Sequence, residues 1–236
     1  MRKTIIVGAL LVLGAVAATG CLPPEDSCDL KTQGIKVEFA AMEEAGAATG
    51  QAIFWTDEGR AIVLGDCGDN ITVNGTELQV VNATASPVVY SAATEATGEY
   101  SFVFSRPDEG DYTSTVSGLR PEVTVTAPVE GAETPRDADL IVEWNDNNDG
   151  AGSDEIELLV TGDCITFDYD ATWTDSGSGT IPANSLDVDG DTTTCEAALV
   201  LTRKVSGTLD SGLNQVGSIE GWSMGRTTFT TIPTTP

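Results

Sequence analysis

Histidine is absent from all 236 residues. That removes every Ser-His-Asp and Cys-His arrangement and every imidazole metal site. Positive charge is scarce: 11 Lys and Arg stand against 37 Asp and Glu, a formal charge of −26. Phosphate binding is carried by Lys and Arg, so nucleic acid is not an expected partner. Anionic lipid headgroups are poor partners for the same reason. The plain reading of such acidity is that it keeps an exposed protein soluble and monomeric. No C-x-x-C pair occurs, so a zinc ribbon or a thioredoxin-like motif is not expected. Past residue 21 no apolar run is long enough to suggest a membrane span. Carboxylates are plentiful, so residue counts leave a two-carboxylate glycan hydrolase open. The acids are spread evenly, however, and no pair stands out.

The first residues carry the clearest signal. Arg2 and Lys3 form a basic start, and Ile5 to Ala18 is an uncharged run of apolar and small residues. It is too short to cross a bilayer, which takes about 20 residues. Ala18-Thr19-Gly20-Cys21 resembles a bacterial lipobox, although Ala18 stands where Leu is most often found. The resemblance implies that residues 1–20 are a signal peptide and that Cys21 becomes the lipid anchor. It also implies an extracytoplasmic protein of the cell envelope, at the outer membrane or cell surface. Plain secretory cleavage after Ala17 or Ala18 is the alternative. Residues 21–27 then form a short lipidated tether, stiffened by Pro23 and Pro24.

Cys28, Cys67, Cys164 and Cys195 remain, an even set for an oxidising compartment. Four cysteines allow three pairings, and internal similarity selects among them. Ile62-Val63-Leu64-Gly65-Asp66-Cys67 matches Leu159-Val160-Thr161-Gly162-Asp163-Cys164. At the same offset Phe102-Val103-Phe104-Ser105-Arg106 matches Leu199-Val200-Leu201-Thr202-Arg203, and Gly110 matches Gly207. At a second, slightly larger offset Ile35 to Phe39 matches Leu140 to Trp144, and Val125 to Pro128 resembles Thr230 to Pro233. Four blocks in one order read as a duplicated domain. Each copy then holds one disulfide, Cys28–Cys67 and Cys164–Cys195. Superposition should place Cys67 on Cys164 and Arg106 on Arg203, with 127–138 as the linker. A single sheet running through both halves would count against duplication.

Both copies read as all-β. Lys36 to Phe39 alternates polar and apolar, as a half-buried strand does. Ile71 to Val80 reads as a hairpin, with Asn74-Gly75 supplying the two positive φ angles of a type I′ turn. Ile156 to Val160, Ala197 to Leu201 and Thr227 to Ile232 are further strands. The one candidate helix is Phe39 to Ala48, which is Ala-rich and interrupted by Gly46. Several short strands per roughly 100 residues predict two tandem immunoglobulin-like β-sandwich domains, at 28–126 and 127–232. Val123-Thr-Val-Thr-Ala-Pro-Val-Glu-Gly131, followed by Asp139-Leu-Ile-Val-Glu-Trp144, is similar to the opening of bacterial surface Ig-like modules. It also resembles the Ser/Thr-rich β-sandwich domain of fungal cell-wall anchored proteins. That likeness covers the second half only. It implies a wall or envelope location and no catalytic residues.

Asp187, Asp189 and Asp191 place carboxylates at alternate positions, as the first half of a calcium loop does. Thr192 and Ala198 stand where an EF-hand-type loop needs Gly and an acid. Asn145 to Gly150 fails likewise at Ile156. Any calcium site here is therefore weak, and turn chemistry explains the same residues without an ion. Asn70-Ile-Thr, Asn74-Gly-Thr and Asn82-Ala-Thr match the glycosylation pattern, but Thr is also a plain strand former. Trp144 is read as core, whereas Trp173 and Trp222 sit beside Ser, Thr and Gly and are candidates for exposure. The function expected is non-catalytic: a binding, structural or adhesive module without a cofactor. Its partners would be the membrane, through lipid, and an envelope protein or glycan. The alternatives are a carbohydrate-binding module and an acid-pair hydrolase.

Overall fold

The computed structural model describes residues 23–82, 87–119, 122–145, 155–188 and 194–233. Residues 1–22, with the expected signal peptide and Cys21, and the acids Asp189 and Asp191 lie outside these residues. Ten strands precede residue 118: β1 (Glu25–Asp26), β2 (Ile35–Glu44), β3 (Ala47–Thr56), β4 (Ile62–Val63), β5 (Asn70–Val73), β6 (Thr76–Glu77), β7 (Gln79–Asn82), β8 (Val89–Thr94), β9 (Glu99–Arg106) and β10 (Gly110–Ser117). Eight follow: β11 (Val125–Ala127), β12 (Ala132–Pro135), β13 (Leu140–Trp144), β14 (Glu155–Thr161), β15 (Tyr169–Thr174), β16 (Ser178–Ile181), β17 (Cys195–Ser206) and β18 (Ser218–Ile232). Two single-turn 3-10 helices, Ser27–Asp29 and Thr32–Gly34, lead into β2.

The one candidate helix, Phe39 to Ala48, is instead part of the β2–β3 hairpin. Ala45 and Gly46 both take positive φ, 52° and 73°, which is the two-residue turn that matches strand twist. Alternation decides the conformation: Ile35, Val37, Phe39 and Ala41 are buried on one face, the period of a strand and not of a helix.

One nine-stranded sheet runs through the molecule in the order β15-β14-β17-β18-β2-β3-β8-β7, with β12 added beside β18. A four-stranded sheet, β10-β9-β5-β6, packs on its first part, and a three-stranded sheet, β11-β13-β16, packs on its second. The result is two immunoglobulin-like sandwiches in tandem. In the first core Phe39 stacks on Phe102 at 5.0 Å and Phe54 meets Phe104 at 5.0 Å, tying β2 and β3 to β9. The second core gathers Val142, Trp144, Leu158, Leu199 and Phe229. Each large apolar side chain buried here contributes about 1.5–3 kcal/mol.

The cores do not divide at residue 127. Leu199 and Leu201 of β17 line the second core, while Val205 packs against the first. Phe229 of β18 belongs to the second core and Ile219 to the first, which also takes Leu209 and Leu213. Strands of 12 and 15 residues exceed one sandwich. At about 3.3 Å per residue β18 spans roughly 50 Å. Residues 127–138 are not the crossing either, because β12 pairs in parallel with β18 inside the second sandwich. The crossing touches β18 at Leu119 and Val123. A Cβ on Gly221 would lie 2.3 Å from Leu119 Cδ1, and one on Gly225 would lie 1.9 Å from the Val123 carbonyl oxygen. Two glycines on one face of β18 therefore let the chain pass close over the waist.

The sheet running through both halves counts against two separable copies, and strand pairing agrees. Ile62-Val63 is a two-residue strand beside β1, whereas Leu159-Val160 lies within the seven-residue β14. What the matched motifs do share is local. Gly65 lies against Asp26 and Cys28, and Gly162 lies against the Glu196 carbonyl beside Cys195. In both motifs the glycine two places before the cysteine admits the chain that carries the partner cysteine.

Candidate functional site

Parallel register sets the direction of the molecule. Glu38 pairs with Ser218 and Glu44 with Met224. The start of β2 therefore lies at the outer end of the first sandwich, and the end of β18 at the outer end of the second. The segment 25–34 fastens onto the first end. Cys28 is bonded to Cys67, and Glu25 forms an ion pair with Arg60. Gly65 N donates to Ser27 Oγ at 3.0 Å. Buried Arg106 donates to the Ser27 carbonyl at 2.8 Å, to Thr32 Oγ1 at 3.0 Å, and to Asp69 at 3.1 Å. It also meets Glu109 at 2.9 Å. Hydrogen bonds from Thr32, together with Arg106 and Lys31, hold the Glu109 carboxyl below its ordinary range.

The second end is built in the same manner from other residues. Cys164 is bonded to Cys195, and Cys195 is paired with Thr231 near the end of β18. Ile165 bridges Val188, and Thr166 N donates to the Asp187 carbonyl at 2.8 Å. This stapled loop presents Phe167, which is 72% exposed, between exposed Thr166 and Asp168. Both expected disulfides are thus formed, one at each end.

Between the ends, Arg203 lies in the second sandwich with its side chain 3% exposed and Asp175 at 2%. Nε–H donates to Asp175 Oδ2 at 2.5 Å, and the Trp144 indole donates to Oδ1 at 2.6 Å. Arg203 also reaches the Asn145 carbonyl at 2.6 Å. The repeat located both arginines. Their acid partners, Asp69 and Asp175, carry no such signal, because they sit at different distances from the matched cysteines.

Trp222 and Trp173, expected to be exposed, are buried and half-buried respectively. Trp222 is 3% exposed, donates to Glu220 at 2.9 Å and lies under Lys204 at 5.1 Å. Trp173 stacks on Trp144 at 5.8 Å and 8°, closing over Gly179. Two tyrosines are perturbed in the first sandwich. Burial raises Tyr90, whose hydroxyl accepts from Leu64 N at 2.7 Å. Burial, then the hydrogen bond to Glu43 at 2.5 Å, raises Tyr100 strongly.

Of Asp187, Asp189 and Asp191 only Asp187 is described, and it is exposed. Among the described residues no three Cys, Asp or Glu gather to hold a metal. No helix among them is long and apolar enough to cross a membrane.

No protein-family model and no curated protein sequence matches the chain. Solved structures do. The fibronectin(III)-like modules of Clostridium thermocellum CbhA align over 84% of this chain and 93% of that one, at 13% identity and a TM-score of 0.23. Domains A168-A170 from titin align over 85% of this chain, at 10% identity and a TM-score of 0.24. This chain spans 66% of the titin one. At these scores the fold rests on the strand pairing above.

Proposed function

We propose that this protein is a non-catalytic module of the bacterial envelope, held by lipid at Cys21, that works as a rigid binding or structural spacer. The observation that carries the reading is the pair of strands, β17 and β18, that pass uncut from one sandwich to the other. Freely jointed domains would serve a flexible linker; two cores sharing strands serve a fixed distance. The fastened segment 25–34 begins close after the anchor, so the first sandwich sits near the bilayer. Phe167 is then carried to the far end. Two disulfides suit folding in an oxidising compartment outside the cytoplasm.

The test is cell fractionation combined with a glycan panel. Wild-type protein is expected in the membrane fraction with acyl mass on Cys21, and Cys21→Ser in the soluble fraction. Purified protein is expected to turn over no glycan. Soluble wild type without acyl mass would overturn the anchor, and turnover of any glycan would overturn the non-catalytic reading.

A further inference from the structure

Asn74-Gly75 is the one Asn-Gly dipeptide in the sequence. Both residues are exposed at the tip of the β5–β6 hairpin, with φ of 47° and 79°. An ideal Cβ on Gly75 would meet nothing beyond its chain neighbours within 4 Å, and glycine brings no side chain of its own to hinder attack by its nitrogen on the side chain before it. Such a pair is chemically labile. The Gly75 nitrogen loses its proton and bonds to Cγ of Asn74. The bond from Cγ to Nδ2 breaks, and ammonia leaves. Water then opens the resulting succinimide at either carbonyl, giving aspartate or isoaspartate. Only water is consumed, and nothing is oxidised or reduced.

The fold holds this side chain elsewhere. Ser101 N donates to Asn74 Oδ1 at 2.9 Å, and Nδ2 donates to the Glu99 carbonyl at 3.2 Å. Asn74 N also donates to the Ser101 carbonyl at 2.9 Å. The carboxamide is thus laid across β9 and must give up both bonds before Cγ can face Gly75. We propose that Asn74 is a deamidation site that the fold keeps closed, so that its conversion records opening of this hairpin. The rate then carries the opening equilibrium as a factor.

Conversion is not neutral. Aspartate at 74 has no donor for the Glu99 carbonyl and repels it. Isoaspartate adds a backbone carbon to a two-residue turn that fixes Val73 opposite Thr76, and turn length sets register. Val73 is fully buried and pairs with Phe102, so the damage reaches the first core.

The oxidised full chain and a synthetic peptide of residues 70–79 are incubated side by side at mildly alkaline pH. Peptide mapping follows amide loss at each Asn. The folded chain is expected to convert Asn74 more slowly than the peptide, by at least about tenfold. Unfolding the chain in urea should abolish the difference and make Asn74 the first Asn to convert. An Asn74→Ser chain should lose that first product. Conversion of the folded chain within tenfold of the peptide rate, or another Asn converting first in urea, would overturn the proposal.

Discussion

Arg203 brings a full positive charge into a sandwich interior, and Asp175 answers it at 2.5 Å. Burying such a pair contributes little net stability, but removing one partner leaves the other desolvated, at a cost of about 3–5 kcal/mol. Asp175→Ala should therefore lower the unfolding free energy measured in urea by that amount, with the loss of a Trp144 indole partner included. A change near zero would mean that solvent reaches Arg203. Tyr90 and Tyr100 make a pH prediction. Their folded ionisation lies above the unfolded value near 10. Their neutral forms thus stabilise the fold fully below about pH 10, and that stability is lost as pH rises through the folded values. Phenolate absorbance should show both ionising together with unfolding. Ionisation in a chain whose circular dichroism is still native would contradict this. Glu109 acts with the opposite sign, being lost as pH falls through its lowered value, and its exposure keeps the effect small.

At the scale of elements, β18 decides the architecture. Its end, Thr227 to Ile232, was legible from alternation and Thr content. Its first half was not, because Gly221-Trp222-Ser223-Met224-Gly225 is buried on both faces and so shows no polar-apolar alternation. Those glycines are spaced by a contact with a distant segment, which no local pattern reveals. Gly225→Ala should cost about 1–3 kcal/mol, the range for overpacking, since its Cβ would meet backbone at 1.9 Å. Unchanged stability would show that the chain passes the waist more loosely. The candidate helix has a related cause: Ala40, Ala41 and Ala48 are good helix formers, and strand pairing with β18 and within the β2–β3 hairpin overrode propensity. The disulfide pairing was legible because each half of the sequence holds two of the four cysteines, and each pair is bonded within its half. The acidic loop stays a proposal. If Asp187, Asp189 and Asp191 bind calcium, millimolar calcium raises the melting temperature and chelator reverses it, at a Kd on the order of 10⁻⁴ to 10⁻³ M. An identical melt, or a shift that survives Asp189→Ala with Asp191→Ala, leaves them as turn residues.

For the whole molecule, all-β class and two tandem sandwiches were readable from strand spacing, whereas the sharing of strands was not. Pairing β2 with β18 joins Glu38 to Ser218 and Glu44 to Met224, across most of the chain's length, and such contacts leave no trace in local periodicity. They have a thermodynamic consequence. The first sandwich needs Val205, Leu209, Leu213 and Ile219 from the end of the sequence. A chain ending at residue 126 would leave the inner edge of β2 unpaired and one side of the core open. Residues 23–126 expressed alone under oxidising conditions, and followed by two-dimensional amide NMR, test this most directly. Strands shared between the sandwiches predict a collapsed spectrum for the fragment and a dispersed one for the chain from residue 23 to 233. A dispersed spectrum from the fragment, with β2 and β3 protected from hydrogen exchange, would mean that the first sandwich stands alone.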